Sequence, residues 1–140
     1  MSEARYRVID HTADIGIAVE NPSLEGLFED AAFGMFDLVA DLSRVEPRTA
    51  VQVDLEADSV EDLFVDWLRE LLFRFETELI VFRDFRVQIR APHALSAEAT
   101  GEVRDPHRHE LYREFKAVTY HDLRVEKAGD LWRAQVIFDV

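Results

Sequence analysis

The sequence Asp10-His11-Thr12-Ala13-Asp14-Ile15-Gly16 connects a short β-prone segment to one in which large apolar residues alternate with small or polar ones. Arg5 to Asp10 precedes the central turn, and Ile15 to Glu20 follows it with every second residue branched and apolar. Such alternation is typical of β-strands that bury one face. We therefore predict two strands here, joined at His11-Thr12-Ala13, with Asp14 at the start of the second strand.

The end of the sequence carries a second alternating segment, Leu131 to Asp139. It places Trp132, Ala134, Val136 and Phe138 on one face and Asp139 on the other. A carboxylate one place before the α-carboxylate of Val140, with no polar tail, suggests that this terminus has a function.

Asp14 opens one predicted strand and Asp139 closes another, so the two carboxylates and the α-carboxylate of Val140 meet if these strands are neighbours. Hard oxygen ligands of this kind suit Ca²⁺ or Mg²⁺ better than zinc. The alternative is that Asp10 and Asp14 cap a turn through their side-chain oxygens while Asp139 is simply exposed.

Between these ends the sequence predicts two amphipathic helices and further strands. Leu24 to Val39 and Val60 to Phe75 have apolar residues at helical spacing, and Ser59 with Asp62 resembles a capping box. The large residues of the second helix, such as Trp67 and Phe75, are predicted to lie in the core. The remaining predicted strands are Val51 to Leu55, Leu79 to Arg90 with an interruption near Arg83-Asp84, Ala97 to Val103, and Leu123 to Lys127, which forms a hairpin with the last strand around Gly129.

These elements predict an α+β fold: a single domain over residues 1–140, with two amphipathic helices packed on a mainly antiparallel β-sheet. The chain contains no cysteine, so disulfides and Cys-ligated zinc are excluded. It also has no apolar stretch of the about 20 residues that a membrane span needs, and no signal-peptide core near Met1. We expect a soluble, cytoplasmic protein.

Charge narrows the range of partners. The chain has 29 acidic and 16 basic residues, a net charge of -13. This field repels phosphate backbones, so direct, autonomous binding to nucleic acid is not expected, whereas cations and basic protein surfaces are attracted. The acidic charge also has an ordinary explanation, which is solubility.

Two further polar clusters could carry chemistry. Lys116, Thr119, Tyr120 and His121 lie close together in the sequence, and His107 and His109 have a spacing that could bind a transition metal. We interpret the histidines as part of a solvated loop because no acidic cluster or cysteine accompanies them. The sequence has no nucleophile elbow, phosphate-binding Gly-rich loop, HExxH motif or EF-hand. We therefore predict no catalytic residues and no cofactor-binding residues apart from metal ligands.

The sequence resembles the archease family. The resemblance begins with Asp10 to Gly16 and continues in the family's order over nearly the whole chain. The later blocks are Leu27-Phe28-Glu29-Asp30-Ala31-Ala32 with Met35-Phe36, Trp67-Leu68-Arg69-Glu70-Leu71-Leu72, Gly101-Glu102, Lys116-Ala117-Val118-Thr119-Tyr120-His121 and Val136-Ile137-Phe138-Asp139-Val140.

The resemblance implies a small α+β accessory protein that is not itself a ligase. Archeases activate the GTP-dependent RNA-splicing ligase of tRNA splicing and RNA repair, promoting guanylylation of the ligase histidine and multiple turnover. The family's divalent metal, assigned as calcium, implies a Ca²⁺ site at Asp14, Asp139 and Val140, with Mg²⁺ or Mn²⁺ as alternatives; Asp10 is a looser match. A competing function attached to the family is a chaperone-like modulator of RNA-modifying enzymes such as methyltransferases. A metal-dependent hydrolase is a third possibility, without a dedicated motif.

Overall fold

The computed structural model describes residues 5–11 and 14–140, with only the backbone of His11. The predicted turn residues Thr12 and Ala13 lie outside the described residues. The described elements, in chain order, are β1 (Arg7–His11), β2 (Asp14–Asn21), α1 (Leu24–Asp37), a 3₁₀ turn (Leu42–Arg44), β3 (Thr49–Glu56), α2 (Val60–Glu78), β4 (Ile80–Arg90), β5 (Ala94–Val103), β6 (Ala117–Val118), β7 (Arg124–Ala128) and β8 (Leu131–Asp139).

The strands form two antiparallel sheets. In the five-stranded sheet the order is β1-β2-β8-β6, and β7 pairs with β8 as well. In the three-stranded sheet the order is β3-β5-β4. The predicted α+β class with two amphipathic helices on antiparallel strands is confirmed, and the strands are divided between two sheets. The strand predicted from Ala97 begins three residues earlier, at Ala94, and the interruption predicted near Arg83 is a β-bulge between Phe82 and Asp84.

Both helices begin where the sequence indicates. The Ser23 hydroxyl accepts a hydrogen bond from the backbone N–H of Gly26 at 2.9 Å, and the Ser59 hydroxyl accepts one from Asp62 N–H at 3.0 Å. Each bond satisfies a donor that the first helical turn would otherwise leave unpaired. The α2 N-cap predicted from Ser59 and Asp62 is therefore confirmed.

The apolar faces of the helices form one continuous core with strands of both sheets. Trp67 of α2 is fully buried, and its indole N–H donates to the carbonyl of Phe28 in α1 at 2.9 Å. This bond fixes the two helices to each other while satisfying the polar atom of a buried aromatic side chain. Phe75 is also buried, so the predicted core role of both aromatic residues is confirmed.

The five-stranded sheet has a core face and an outer face. Ile17, Val19, Val136 and Phe138 are buried on the core face against the helices. Because strand side chains alternate, the residues between them point to the outer face. No helix in the described part of the chain has the length and apolar character required to span a membrane.

Leu79 ends α2 in a left-handed backbone conformation, with φ 60° and ψ 27°. Its side chain is 49% exposed, so packing gains little from a leucine here. We predict that Leu79→Gly raises the free energy of unfolding by about 0.5–1 kcal/mol, because glycine has no Cβ to strain at positive φ.

Gly129 provides the opposite control, since it has φ +63° and an added Cβ would meet no atom within 4 Å. Gly129→Ala should lower the free energy of unfolding by about 1 kcal/mol through backbone strain alone. Urea denaturation of both variants measures the two effects. A Leu79→Gly variant less stable than wild type would contradict the strain argument.

Candidate functional site

Asp14 and Asp139 lie on neighbouring strands at the same end of the five-stranded sheet. Strands β2 and β8 are paired with Ile15 opposite Phe138, so the next residue outward on each strand is Asp14 on β2 and Asp139 on β8. The condition on which the sequence argument depended, that these strands are neighbours, is met. Residues directly opposite in such a pair have Cβ atoms about 5 Å apart.

Both carboxylates lie on the outer face. Ile15 and Phe138 contact the core, and alternation turns the adjacent Asp14 and Asp139 away from it. Asp139 is half-buried and Val140 is 48% exposed beside it. Asp10, by contrast, pairs with Ile15 and therefore shares the opposite face of the sheet. The structure thus brings Asp14 and Asp139 together and separates Asp10 from them.

The distinctive block Lys116 to His121 holds the other edge of β8. Lys116 N–H donates to the carbonyl of Asp139 at 2.8 Å, and Ala117 is paired with Asp139. The N–H and hydroxyl of Thr119 both donate to the carbonyl of Ile137, at 3.0 and 2.9 Å. The end of β8 is therefore held on both sides, by β2 and by this block, which limits the movement of the Asp139 backbone.

Helix α2 in turn fixes the block. The guanidinium of Arg69 donates two hydrogen bonds to the carbonyl of Val118, at 3.2 and 3.0 Å, and lies over the ring of Tyr120. The Tyr120 hydroxyl donates to Asp62 at 2.7 Å. This hydrogen bond, together with burial and the Asp62 charge, raises the pKa of Tyr120 above its ordinary value. The Lys116 to His121 block therefore connects α2 to β8, the strand that carries Asp139.

The donor chemistry of this sheet end fits a hard divalent cation. Two like charges directly opposite each other across a strand pair are unfavourable, and a cation between them removes the repulsion. Among residues 5–11 and 14–140, no three His, Cys, Asp or Glu side chains are grouped as a metal site. The predicted site contains two such side chains, Asp14 and Asp139, and the α-carboxylate of Val140 stays its predicted third ligand group.

A separate polar cluster, which the sequence did not predict, surrounds Glu102. This carboxylate is 4% exposed and accepts from the N–H of Glu46 at 3.0 Å. Arg108 forms a short ion pair with it, and Arg48 lies 3.1 Å from it. The cluster thus satisfies a buried charge with several donors from separate segments, as a buried carboxylate requires.

His109 belongs to this cluster, and the interpretation of His109 as a solvated-loop residue is wrong. Its Nδ1 accepts from the N–H of Asp105 at 2.8 Å, so the ring proton is on Nε2. Nε2 lies 3.0 Å from Glu102 and 3.1 Å from the carbonyl of Arg44. Both ring nitrogens are occupied by protein groups, which leaves neither for a metal. His107 is exposed, as predicted.

The neighbouring Gly101 explains why the pair Gly101-Glu102 forms a unit. A Cβ on Gly101 would lie 2.0 Å from the carbonyl oxygen of Val81 on the adjacent strand. Only glycine allows the two strands to approach this closely, and this approach places Glu102 among its hydrogen-bond donors. The dipeptide Gly-Glu does not by itself predict this cluster, because the residues that contact Glu102 come from other parts of the chain.

We predict that Glu102→Gln lowers the free energy of unfolding by about 2 kcal/mol, since charged hydrogen bonds contribute about 1.5–3 kcal/mol and the amide also places a donor beside other donors. Glu110→Gln is the matched control because Glu110 is exposed. Thermal unfolding of both variants at pH 7 compares them. Equal melting temperatures for the two variants would contradict a stabilising role for the Glu102 carboxylate.

The same cluster predicts acid sensitivity. Burial acts to raise the pKa of Glu102, but the Glu46 N–H and the Arg108 guanidinium outweigh it and hold this pKa below its ordinary value. The N–H of His107 and the guanidinium of Arg108 lower the pKa of Asp105. Depressed acid pKa values stabilise the fold above the unfolded values of about 4, and this stabilisation is lost as the pH falls below them. The urea concentration at the unfolding midpoint should therefore decrease as the pH is lowered from about 5 to 2.5. In Glu102→Gln this midpoint should depend less steeply on pH.

Comparison with known proteins gives consistent matches. Residues 6–140 match the model of the archease protein family (MTH1598/TM1083). The chain is 42% identical to protein archease of Methanosarcina acetivorans, over 97% of this chain and 96% of the relative. It is 41% identical to protein archease of Pyrococcus abyssi, over 97% of this chain and 99% of the relative.

Two solved structures are similar to the described fold. The solution structure of Methanobacterium thermoautotrophicum protein 1598 has a TM-score of 0.83 at 34% identity, covering 99% of this chain and 100% of its own. The crystal structure of an archease from Thermotoga maritima, described as a possible chaperone, has a TM-score of 0.66 at 25% identity and covers 94% of each chain.

Proposed function

The chain belongs to the archease family, and we propose that it is a cytoplasmic, non-catalytic activator of a GTP-dependent RNA-splicing ligase. In this proposal it acts in tRNA splicing and RNA repair by promoting guanylylation of the ligase histidine and multiple turnover. The observation that supports it is the placement of Asp14 opposite Asp139 on the outer face of the sheet, at an end held by β2 and by the Lys116 to His121 block.

Asp14, Asp139 and the α-carboxylate of Val140 would hold the divalent ion, and their oxygen donors favour Ca²⁺, Mg²⁺ or Mn²⁺. When bound, the ion would supply positive charge for a nucleotide triphosphate during guanylyl transfer. The chain's own contribution is positioning. The bonds from Lys116 and Thr119 to the end of β8 restrain Asp139, so that its carboxylate is presented in one place.

Net charge supports a protein partner in preference to RNA itself. With a net charge of -13, the chain is attracted to the basic surface that an enzyme acting on RNA and GTP is expected to carry. Complementary charge of this kind mainly increases the rate of encounter between proteins. Direct binding of the chain to RNA would have to overcome the same field.

A chaperone-like role is the second candidate, and exposed apolar side chains favour it. Phe73 is 56% exposed on α2 and Tyr112 is 54% exposed. Exposed aromatic residues are common at protein contact sites. If this role is the main one, activity should depend on these residues and not on the carboxylates. Phe73→Ser therefore separates the two candidates when it is compared with Asp139→Asn in one assay.

We predict that Asp139→Asn abolishes stimulation of multiple-turnover RNA ligation by the cognate ligase, with GTP and substrate in excess. The amide keeps the size of the side chain but removes the charge that a divalent ligand site needs. Asp130→Asn, at the exposed hairpin turn on the other end of β8, is the matched control and should stimulate like wild type. Stimulation by Asp139→Asn would reduce the metal to a structural role, and no stimulation by wild type would reject the activator proposal.

A second prediction concerns the third ligand group. Extending the chain beyond Val140 with a short Gly-Ser segment should weaken Ca²⁺ binding at least about tenfold, because it replaces the α-carboxylate with a neutral amide. The same segment placed before Met1 should leave the affinity unchanged. Titration calorimetry measures both, and equal affinities would exclude Val140 as a ligand.

A further inference from the structure

The outer face of the five-stranded sheet contains a groove of about 330 Å³ away from the carboxylate pair. It lies over β2 and β8 and reaches β1 and β7. The lining residues are Arg7, Ala18, Val19, Glu20, Arg124, Glu126, Arg133, Ala134 and Gln135. None of these residues belongs to the motifs that pointed to a metal site.

The strand register explains the shape of this groove. Arg7 lies opposite Ala18, Ala18 opposite Gln135, and Gln135 opposite Arg124, so these residues form one row across four strands. Because neighbouring strands lie about 4.8 Å apart, the backbones of Arg7 and Arg124 are about 14 Å apart. Ala18 and Gln135 lie between them, and Ala18 has the smaller side chain. Two long cationic side chains therefore stand at the ends of this row, and its smallest residue is Ala18 beside Arg7.

The charges in the groove are mixed: Glu20 and Glu126 both lie opposite Arg133, whereas Arg7 and Arg124 lie in the next row. Arg133 is two residues from the Gln135 that faces Arg124, so Arg124 and Arg133 are diagonal neighbours on one face, which is unfavourable for like charges. Arg133 lies 3.8 Å from Glu20. Within the part of the chain that the structure describes, Arg7 and Arg124 have no ion pair with a carboxylate. Three arginines and two glutamates line a groove on a chain that is otherwise strongly acidic.

We propose that this groove binds the phosphate groups of a nucleotide, with Arg7 and Arg124 as the principal contacts. Guanidinium groups match phosphate oxygens with paired, charge-assisted hydrogen bonds, and two of them in one row suit a polyanion that spans the groove. The groove requires neither the divalent ion nor the ligase, so it is a binding property in addition to activation.

The carboxylate pair does not prevent phosphate binding in the groove. Asp14 is four residues from Ala18 along β2, about 13 Å at the rise of an antiparallel strand. This separation exceeds the Debye length of about 8 Å at physiological ionic strength. The repulsion between Asp14 and a phosphate over Ala18 is therefore largely screened. One face of the sheet thus carries a carboxylate site at its end and a phosphate site in the middle.

The test is an NMR titration of the full chain in EDTA at low salt, following the Nε–H signals of the arginine side chains. GTP and sodium triphosphate should shift the signals of Arg7 and Arg124, and guanosine should not. Equal affinity for triphosphate and GTP assigns the binding to phosphate alone, whereas tighter binding of GTP adds a nucleoside contact. Arg124→Gln should weaken GTP binding about tenfold, as expected for loss of a charge-assisted contact.

Arg86→Gln is the matched control because it removes the same charge from an exposed arginine on the three-stranded sheet. It should change GTP affinity by less than about twofold, since screening confines a surface charge to its neighbourhood. Equal weakening by both variants, binding of guanosine as tight as GTP, or no shift at millimolar GTP would overturn the proposal. Because ligase and metal are absent from the titration, such a failure leaves the activator proposal untouched.

Discussion

The pairing of β2 with β8 is the interaction on which the rest of the structure depends. It joins a strand near the start of the chain to the last strand and places both in the middle of the five-stranded sheet. Its core face supplies Ile17, Val136 and Phe138 to the helices. Its outer face sets Asp14 opposite Asp139. A shift of one residue in this register would bury the carboxylates and expose the core side chains, so the core fixes the geometry of the candidate site.

Much of this arrangement follows from patterns within each segment. Alternation along Leu131 to Asp139 correctly separated the residues that face the helices from Asp139, because one buried face imposes a period of two. Helical spacing and the Ser59 cap likewise located α2. The proximity of Asp14 and Asp139 depended on which strands are neighbours, and the sequence could state this only as a condition. Metal binding there remains a prediction.

The features that the sequence did not predict depend on contacts between distant segments. Glu102 has the pattern of an ordinary strand residue in the sequence and His109 that of a loop residue, and they become a buried network only because Glu46, Arg48 and the carbonyl of Arg44 approach them. The groove between Arg7 and Arg124 requires the register of four strands at once. Hydrophobic periods of two or 3.6 residues describe one strand or helix at a time, so they do not show which distant segments are in contact. These contacts follow from the strand order and from the close approach at Gly101.

The place of β8 in chain order affects how the molecule folds. Strand β1, both helices and the three-stranded sheet precede it, so during synthesis one edge of β2 stays unpaired until β8 is made. Pairings between such distant segments form slowly, and unpaired strand edges favour aggregation. The same strand carries Asp139. A chain interrupted before β8 therefore lacks both Asp139 and the strand that pairs with β2.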